Sequence, residues 1–106
     1  MNIQFKKGVL ELCVLSLLAQ SDRYGYDLAS NLSKSIDISD GTIYPILRRL
    51  KDEGYVTTYL QEASGGPPRK YYALTETGIR EQKKLEQEWK EFVECVSVIL
   101  EEGVCS

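Results

Sequence analysis

From Phe5 to Gln20 the chain reads FKKGVLELCVLSLLAQ, and no other stretch constrains the fold as strongly. Val9, Leu10, Leu12, Cys13, Val14, Leu15, Leu17 and Leu18 spread around a helix and leave it little polar face. Such a helix must be covered on more than one side. One face packs on its own domain, and another needs a further element, either a C-terminal helix or a second subunit. The length of 106 residues sharpens that demand. A domain this short buries about two-thirds of the surface its unfolded chain exposes, so its stability is narrow and a second copy would widen it. Glu11 interrupts the apolar run from Val9 to Ala19, which is too short to span a bilayer. The first residues lack the basic, long apolar and small cleavage regions of a signal peptide, so a cytoplasmic location with no membrane partner is expected.

The break at Ser21-Asp22-Arg23 leads into YGYDLASNLSKSI, where Leu28, Ala29, Leu32 and Ile36 recur at the spacing of a short second helix. Asp37 to Gly41 supply turn and capping residues for a third helix, TIYPILRRLKDEG, which Gly54 stops; with its cap it spans 39–53. Ile43, Ile46, Leu47 and Leu50 fall in one narrow sector at about 100° per residue, while Gly41, Pro45, Arg48, Arg49 and Asp52 point the other way. Pro45 removes an N–H beyond the first turn, so the helix is expected to start late or bend there. Tyr55–Gln61 and Arg69–Leu74 are rich in β-branched and aromatic residues, and EASGGPP between them reads as a loop. Together they predict a β-hairpin over 55–74. From Thr75 the chain runs helical for roughly 25 residues without a proline. In that segment Leu85, Trp89, Phe92, Val96 and Ile99 form a coiled-coil seam, broadened by Val93 and Leu100.

The order helix, helix, helix, hairpin, helix is the layout of a winged helix-turn-helix domain, an α+β and mostly helical fold. The expected division is a DNA-binding unit over 1–74 and a long C-terminal dimerisation helix over 75–106. In this layout the third helix enters the DNA major groove. Gly41 allows close backbone approach there, Ser39 and Thr42 reach phosphate or base, and Arg48 can fork onto guanine or phosphate. A solvated helix face is the plainer account of Arg48 and Arg49. The Gly-Gly-Pro-Pro tip followed by Arg69 and Lys70 puts two cations where a wing meets the minor groove or flanking phosphates. Lys6 and Lys7, at the start of the first helix, are placed to touch backbone phosphates or simply to be solvated.

Composition removes most other functions. The chain has no histidine, which excludes Ser-His-Asp and Cys-His nucleophile pairs and an imidazole zinc site. No metal cluster, glycine-rich phosphate loop or nucleophile with a base is visible, so neither an enzyme nor a cofactor or metal is expected. Cys13, Cys95 and Cys105 are odd in number and lack C-x-x-C spacing, which fits free thiols in a reducing compartment. A net charge of -3 argues on average against a nucleic-acid partner. The average hides an asymmetry: residues 1–74 carry nine Lys and Arg against eight Asp and Glu, net +1, whereas 75–106 carry four against eight, net -4. The acid lies in the tail. Leu10 and Val14 of the first helix, with Leu85, Trp89, Phe92, Val96 and Ile99 of the last, are the expected dimerisation residues. Trp89 and Phe92 read first as interface packing and second as the lining of a ligand pocket between subunits.

Three segments together, YGYDLA from Tyr24, GTIYPILRRLKDEGYV from Gly41 and RKYYALTETG from Arg69, resemble the PadR family of bacterial transcriptional regulators, in the same order and at compatible spacing. The resemblance runs from about Val9 to Phe92. With one helix after the wing, the chain is similar to the short subgroup that includes the lactococcal multidrug regulator. What this implies is a homodimeric repressor on double-stranded operator DNA. Ser39, Thr42, Tyr44 and Pro45 would then open the recognition helix, Tyr26 would sit in the supporting helix near the DNA backbone, and Arg69 with Lys70 would form the wing contact. Trp89 would match a tryptophan that stacks on planar drugs at the dimer centre, which implies a hydrophobic or aromatic small-molecule effector. A competing expectation is a protein-interaction module that keeps the winged fold without reading DNA.

Overall fold

The computed structural model describes residues 3–103, with side chains from residue 8 onward. Its elements are α1 (Ile3–Gln20), β1 (Arg23–Tyr24), α2 (Gly25–Ser35), α3 (Asp40–Asp52), β2 (Val56–Gln61), β3 (Arg69–Leu74) and α4 (Glu76–Glu102). The expected α+β, winged helix-turn-helix layout is therefore the observed one, with one strand more than the hairpin reading contained. Arg23 and Tyr24 pair antiparallel with Tyr72 and Tyr71, which makes a three-stranded sheet in the order β1-β3-β2. Tyr24 thus belongs to a strand and not to the second helix. The hairpin register runs from Val56 opposite Leu74 to Gln61 opposite Arg69.

The core forms where the apolar sectors of three helices converge. Leu10, Val14, Leu15 and Leu18 of α1 meet Leu28, Ala29 and Leu32 of α2 and Ile43, Ile46, Leu47 and Leu50 of α3, with Val56 and Tyr72 closing it from the sheet. Burial of each such aliphatic side chain stabilises by about 1.5–3 kcal/mol. Leu10 and Val14 are 1% and 0% exposed within the single protomer. They are spent on their own core and present nothing to a partner, which corrects their assignment to a dimer contact. The faces of α1 left over, near Cys13 and Leu17, are only half-buried.

α3 starts at Asp40 and continues through Pro45 without the late start expected of it. The ring stands on the exposed face, and Gly41, whose carbonyl would otherwise accept from the N–H that proline lacks, is itself exposed. At its other end α3 closes on Gly54 in the left-handed region, φ 84°. The Gly54 N–H bonds the Lys51 carbonyl at 3.0 Å and the Tyr55 N–H bonds the Leu50 carbonyl at 2.9 Å, a paired closure that sets the direction of β2.

α4 is capped by Thr75, whose hydroxyl accepts from the Gly78 N–H at 3.0 Å and donates to the Gly54 carbonyl at 2.6 Å. One side chain thereby ties the end of α3 to the start of α4. Gln82, the buried polar residue of α4, donates from Nε2 to Ser16 Oγ at 3.1 Å and fixes α4 against α1. Leu85, Trp89 and Phe92 still face α1, and beyond them α4 runs out of the domain. Its 27 residues, about 40 Å of helix, account for most of the 58 Å long axis. No helix among the described residues is long and apolar enough to cross a membrane. Cys13 is a free thiol, whereas Cys95 is disulfide-bonded, which corrects the expectation of three free thiols. Cys105 lies outside the described residues.

Candidate nucleic-acid interface

The turn between α2 and α3 is only four residues long, 36–39, so the two helices stay close and α3 stands with one face bare. That face carries Asp40, Gly41, Tyr44, Pro45 and Arg48, all exposed, with Thr42 half-buried beside them. Ser39 occupies the N-cap, yet its hydroxyl lies 3.2 Å from the Thr42 hydroxyl and caps no backbone N–H. The two hydroxyls form one polar spot at the mouth of the helix. Asp40 is tied to α2 by Ser33, whose hydroxyl donates to Oδ1 at 2.7 Å.

The sheet adds cations and aromatic rings on both of its faces, Lys70 and Tyr72 on one and Arg69, Tyr71, Tyr24 and Tyr59 on the other. Lys70 Nζ stands 5.6 Å over the ring of Tyr72, and the positive charge of Arg48 acts on the same phenol, opposing the rise that burial gives its pKa. The Arg69 guanidinium lies 4.9 Å over the ring of Tyr24. Tyr24, Tyr71 and Tyr59 are direct neighbours across β1, β3 and β2, with ring centroids 6.0 and 5.6 Å apart. Tyr59 anchors the far end of this row by donating to Asp22 Oδ2 at 2.8 Å, a bond that also holds its pKa above the ordinary phenol value. Tyr26, 61% exposed in the first turn of α2, approaches Tyr24 at 6.1 Å. Tyr44 has a raised pKa through partial desolvation first, then through the charges of Asp40, Tyr72, Tyr24 and Tyr26.

Of the residues singled out from sequence, Tyr26, Ser39, Thr42, Tyr44, Pro45, Arg48, Arg69 and Lys70 all lie among the described side chains: Ser39, Thr42, Tyr44, Pro45 and Arg48 on or beside the bare face of α3, Tyr26 and Arg69 against Tyr24, and Lys70 against Tyr72. The side chain of Lys7 lies outside the described residues. Arg49 does not share the outward face with Arg48: it pairs with Glu11 of α1 and, at 3.3 Å, with Glu53. Three contributors escaped sequence reasoning: Tyr24 under Arg69, Tyr72 under Lys70, and Asp22 behind Tyr59. Tyr72 was legible only as hairpin packing, and the other two depend on a two-residue strand that leaves no alternating pattern to read.

On the opposite side, α1 and α4 enclose an apolar cleft of about 290 Å³ lined by Gly8, Val9, Leu12, Leu85, Glu88, Trp89 and Phe92. Trp89 and Phe92 lie 6.4 Å apart, and both are exposed, as are Val93, Ile99 and Leu100 further along α4. Leu85 packs partly on the protomer's own core, and Val96 is half-buried.

Comparison with known proteins gives this architecture its relatives. The profile of the transcriptional regulator PadR-like family matches residues 14–84. The chain is similar to smu.1704 of Streptococcus mutans UA159, with a TM-score of 0.86 and 33% identity over 94% of this chain and 93% of that one. It is similar also to a PadR-like transcriptional regulator of Bacillus cereus, BC4206, with a TM-score of 0.83 and 37% identity over 92% and 97%. It shares 31% identity over 77 residues with the negative transcriptional regulator PadR of Bacillus subtilis, covering 69% of this chain and 42% of that protein. The Bacillus cereus and Bacillus subtilis relatives are transcriptional regulators by name, not enzymes. With the winged fold, the exposed third helix and a family match over most of its length, this chain belongs to the PadR-like family of transcriptional regulators.

Proposed function

We propose that the chain is a homodimeric repressor that binds an inverted-repeat operator in double-stranded DNA. In this reading 1–74 reads the DNA and 75–106 joins two copies. The observation that carries it is the bare face of α3, on which Arg48 is exposed, together with the wing cations of β3, Lys70 over Tyr72 on one face of the sheet and Arg69 over Tyr24 on the other. A groove about 12 Å wide accepts one helix, and cations at the helix and wing neutralise phosphates on either side. Repression is supported by the name of the Bacillus subtilis relative, a negative regulator.

The dimer is supported by the exposed apolar row of α4, where Trp89, Phe92, Val93, Ile99 and Leu100 leave a seam that solvent covers poorly. Two recognition helices related by a two-fold axis would address half-sites about 34 Å apart. The apolar cleft beside Trp89 and Phe92 suits a hydrophobic or aromatic small molecule. Such a ligand releases DNA only by binding better to a dimer whose helix spacing fits the operator less well.

The test is fluorescence anisotropy of a labelled duplex from upstream of the protein's own reading frame, titrated at several salt concentrations against a scrambled duplex. A preference of order 10³ or more with a steep salt dependence is expected. Equal weak binding to both would favour a winged interaction module without DNA recognition.

A further inference from the structure

Glu11 is the charged residue within the otherwise apolar run from Val9 to Leu15 of α1, and its partner explains it. Its carboxylate pairs with Nη2 of Arg49, while Nη1 of the same guanidinium meets Glu53 Oε1 at 3.3 Å. The Glu11 side chain is 23% exposed and that of Arg49 45%, so the pair sits at the edge of the domain, with its carboxylate the more shielded end. We propose that Arg49 is a positioning residue for the recognition helix: held by Glu11, it fixes the rotation of α3 against α1 and so the direction in which Arg48 meets DNA. The inference rests on the DNA-binding reading above and adds a division of labour between two adjacent arginines.

The physical case turns on direction. The α1–α3 contact is otherwise made of aliphatic side chains such as Leu10, Val14, Ile43 and Leu47, and burial of apolar surface has no preferred angle. A planar guanidinium engaged at both ends does have one. Successive helix residues differ by about 100°, so fixing Arg49 toward α1 leaves Arg48 on the open face beside Tyr72. A small rotation of α3 would swing the long Arg48 side chain across a base-pair step.

The alternative role for Arg49 is a direct phosphate contact, and Glu11→Gln separates the two by sign. If Arg49 touches phosphate, Glu11 competes for it, and removing that charge tightens DNA binding. If Arg49 positions α3, Glu11→Gln weakens operator binding on the order of tenfold while binding to scrambled duplex does not fall and the salt slope is unchanged, because no phosphate contact is lost. Arg49→Gln should show the same specific loss, and the double variant should be no worse than either single one, as expected of one shared interaction. Tighter operator binding by Glu11→Gln overturns the proposal. So does an equal loss on both duplexes with reduced helical circular dichroism, which would make the pair a fold contact alone. A wild-type chain with no operator preference would instead overturn the DNA-binding reading and take this inference with it.

Discussion

At the scale of single residues, Arg48, Arg49, Arg69 and Lys70 carry like charges in different settings. Arg48 is exposed beside Tyr72, and its replacement by alanine is expected to weaken operator binding by about 1–3 kcal/mol, read by anisotropy titration. Arg69→Ala should instead lower the salt slope by about one unit with little change in base preference, since a wing cation stacked on Tyr24 addresses phosphate or groove width. Periodicity made the position of Arg48 legible, because a narrow apolar sector defines the opposite face without further information. It could not separate Arg49, whose partner Glu11 is 38 positions earlier in the chain. Burial also raises the pKa of the Cys13 thiol above its ordinary 9.0 and that of the Tyr72 phenol above its ordinary 10.0. Both groups are neutral when protonated, so the folded state holds these protons more tightly than the unfolded chain. Their contribution is therefore whole below about pH 9 and is lost as the pH rises through the folded-state values. Urea midpoints should fall from neutral to alkaline pH, and Cys13→Ala should flatten the first part of that fall.

At the scale of elements, the junction of α3, β2 and α4 is the point where local rules and tertiary contacts meet. Thr75 was legible as the start of the last helix, and the structure gives its hydroxyl two bonds instead of one. Thr75→Ala should cost about 1–2 kcal/mol in a denaturant titration, toward the upper part of the range for cap removal because the Gly54 carbonyl loses its partner too. Gly78 shows the opposite relation. Within a helix Ala is favoured over Gly by about 1 kcal/mol, yet a Cβ at Gly78 would sit 2.0 Å from the Tyr55 carbonyl oxygen. Gly78→Ala should therefore destabilise by about 1–3 kcal/mol, the reverse of its propensity, and the thermal midpoint would show the sign. β1 was not legible for a related reason. Two residues carry no alternation, and Arg23 and Tyr24 become a strand only because β3 offers them its free edge.

At the scale of the whole molecule, the exposed apolar row on α4 is the surface on which the proposed dimer rests. Phe92→Asp together with Ile99→Asp should convert a dimer into a monomer in sedimentation equilibrium and lower operator affinity, while helical circular dichroism persists in the winged domain, whose core excludes both residues. The helical sectors, the hairpin, the cap at Thr75 and the seam on α4 all follow from the sequence by itself, because each depends on the spacing of residues close together in the chain. The same holds for the family resemblance, which lies in short contiguous segments. Tertiary structure alone decided that Leu10 and Val14 are core, that Arg49 turns to Glu11, and that Tyr24 and Tyr72 carry the cations of the wing. Those choices depend on which faces of distant segments meet, and an apolar or charged side chain is compatible with several partners until the packing of α1, α3 and the sheet leaves room for one.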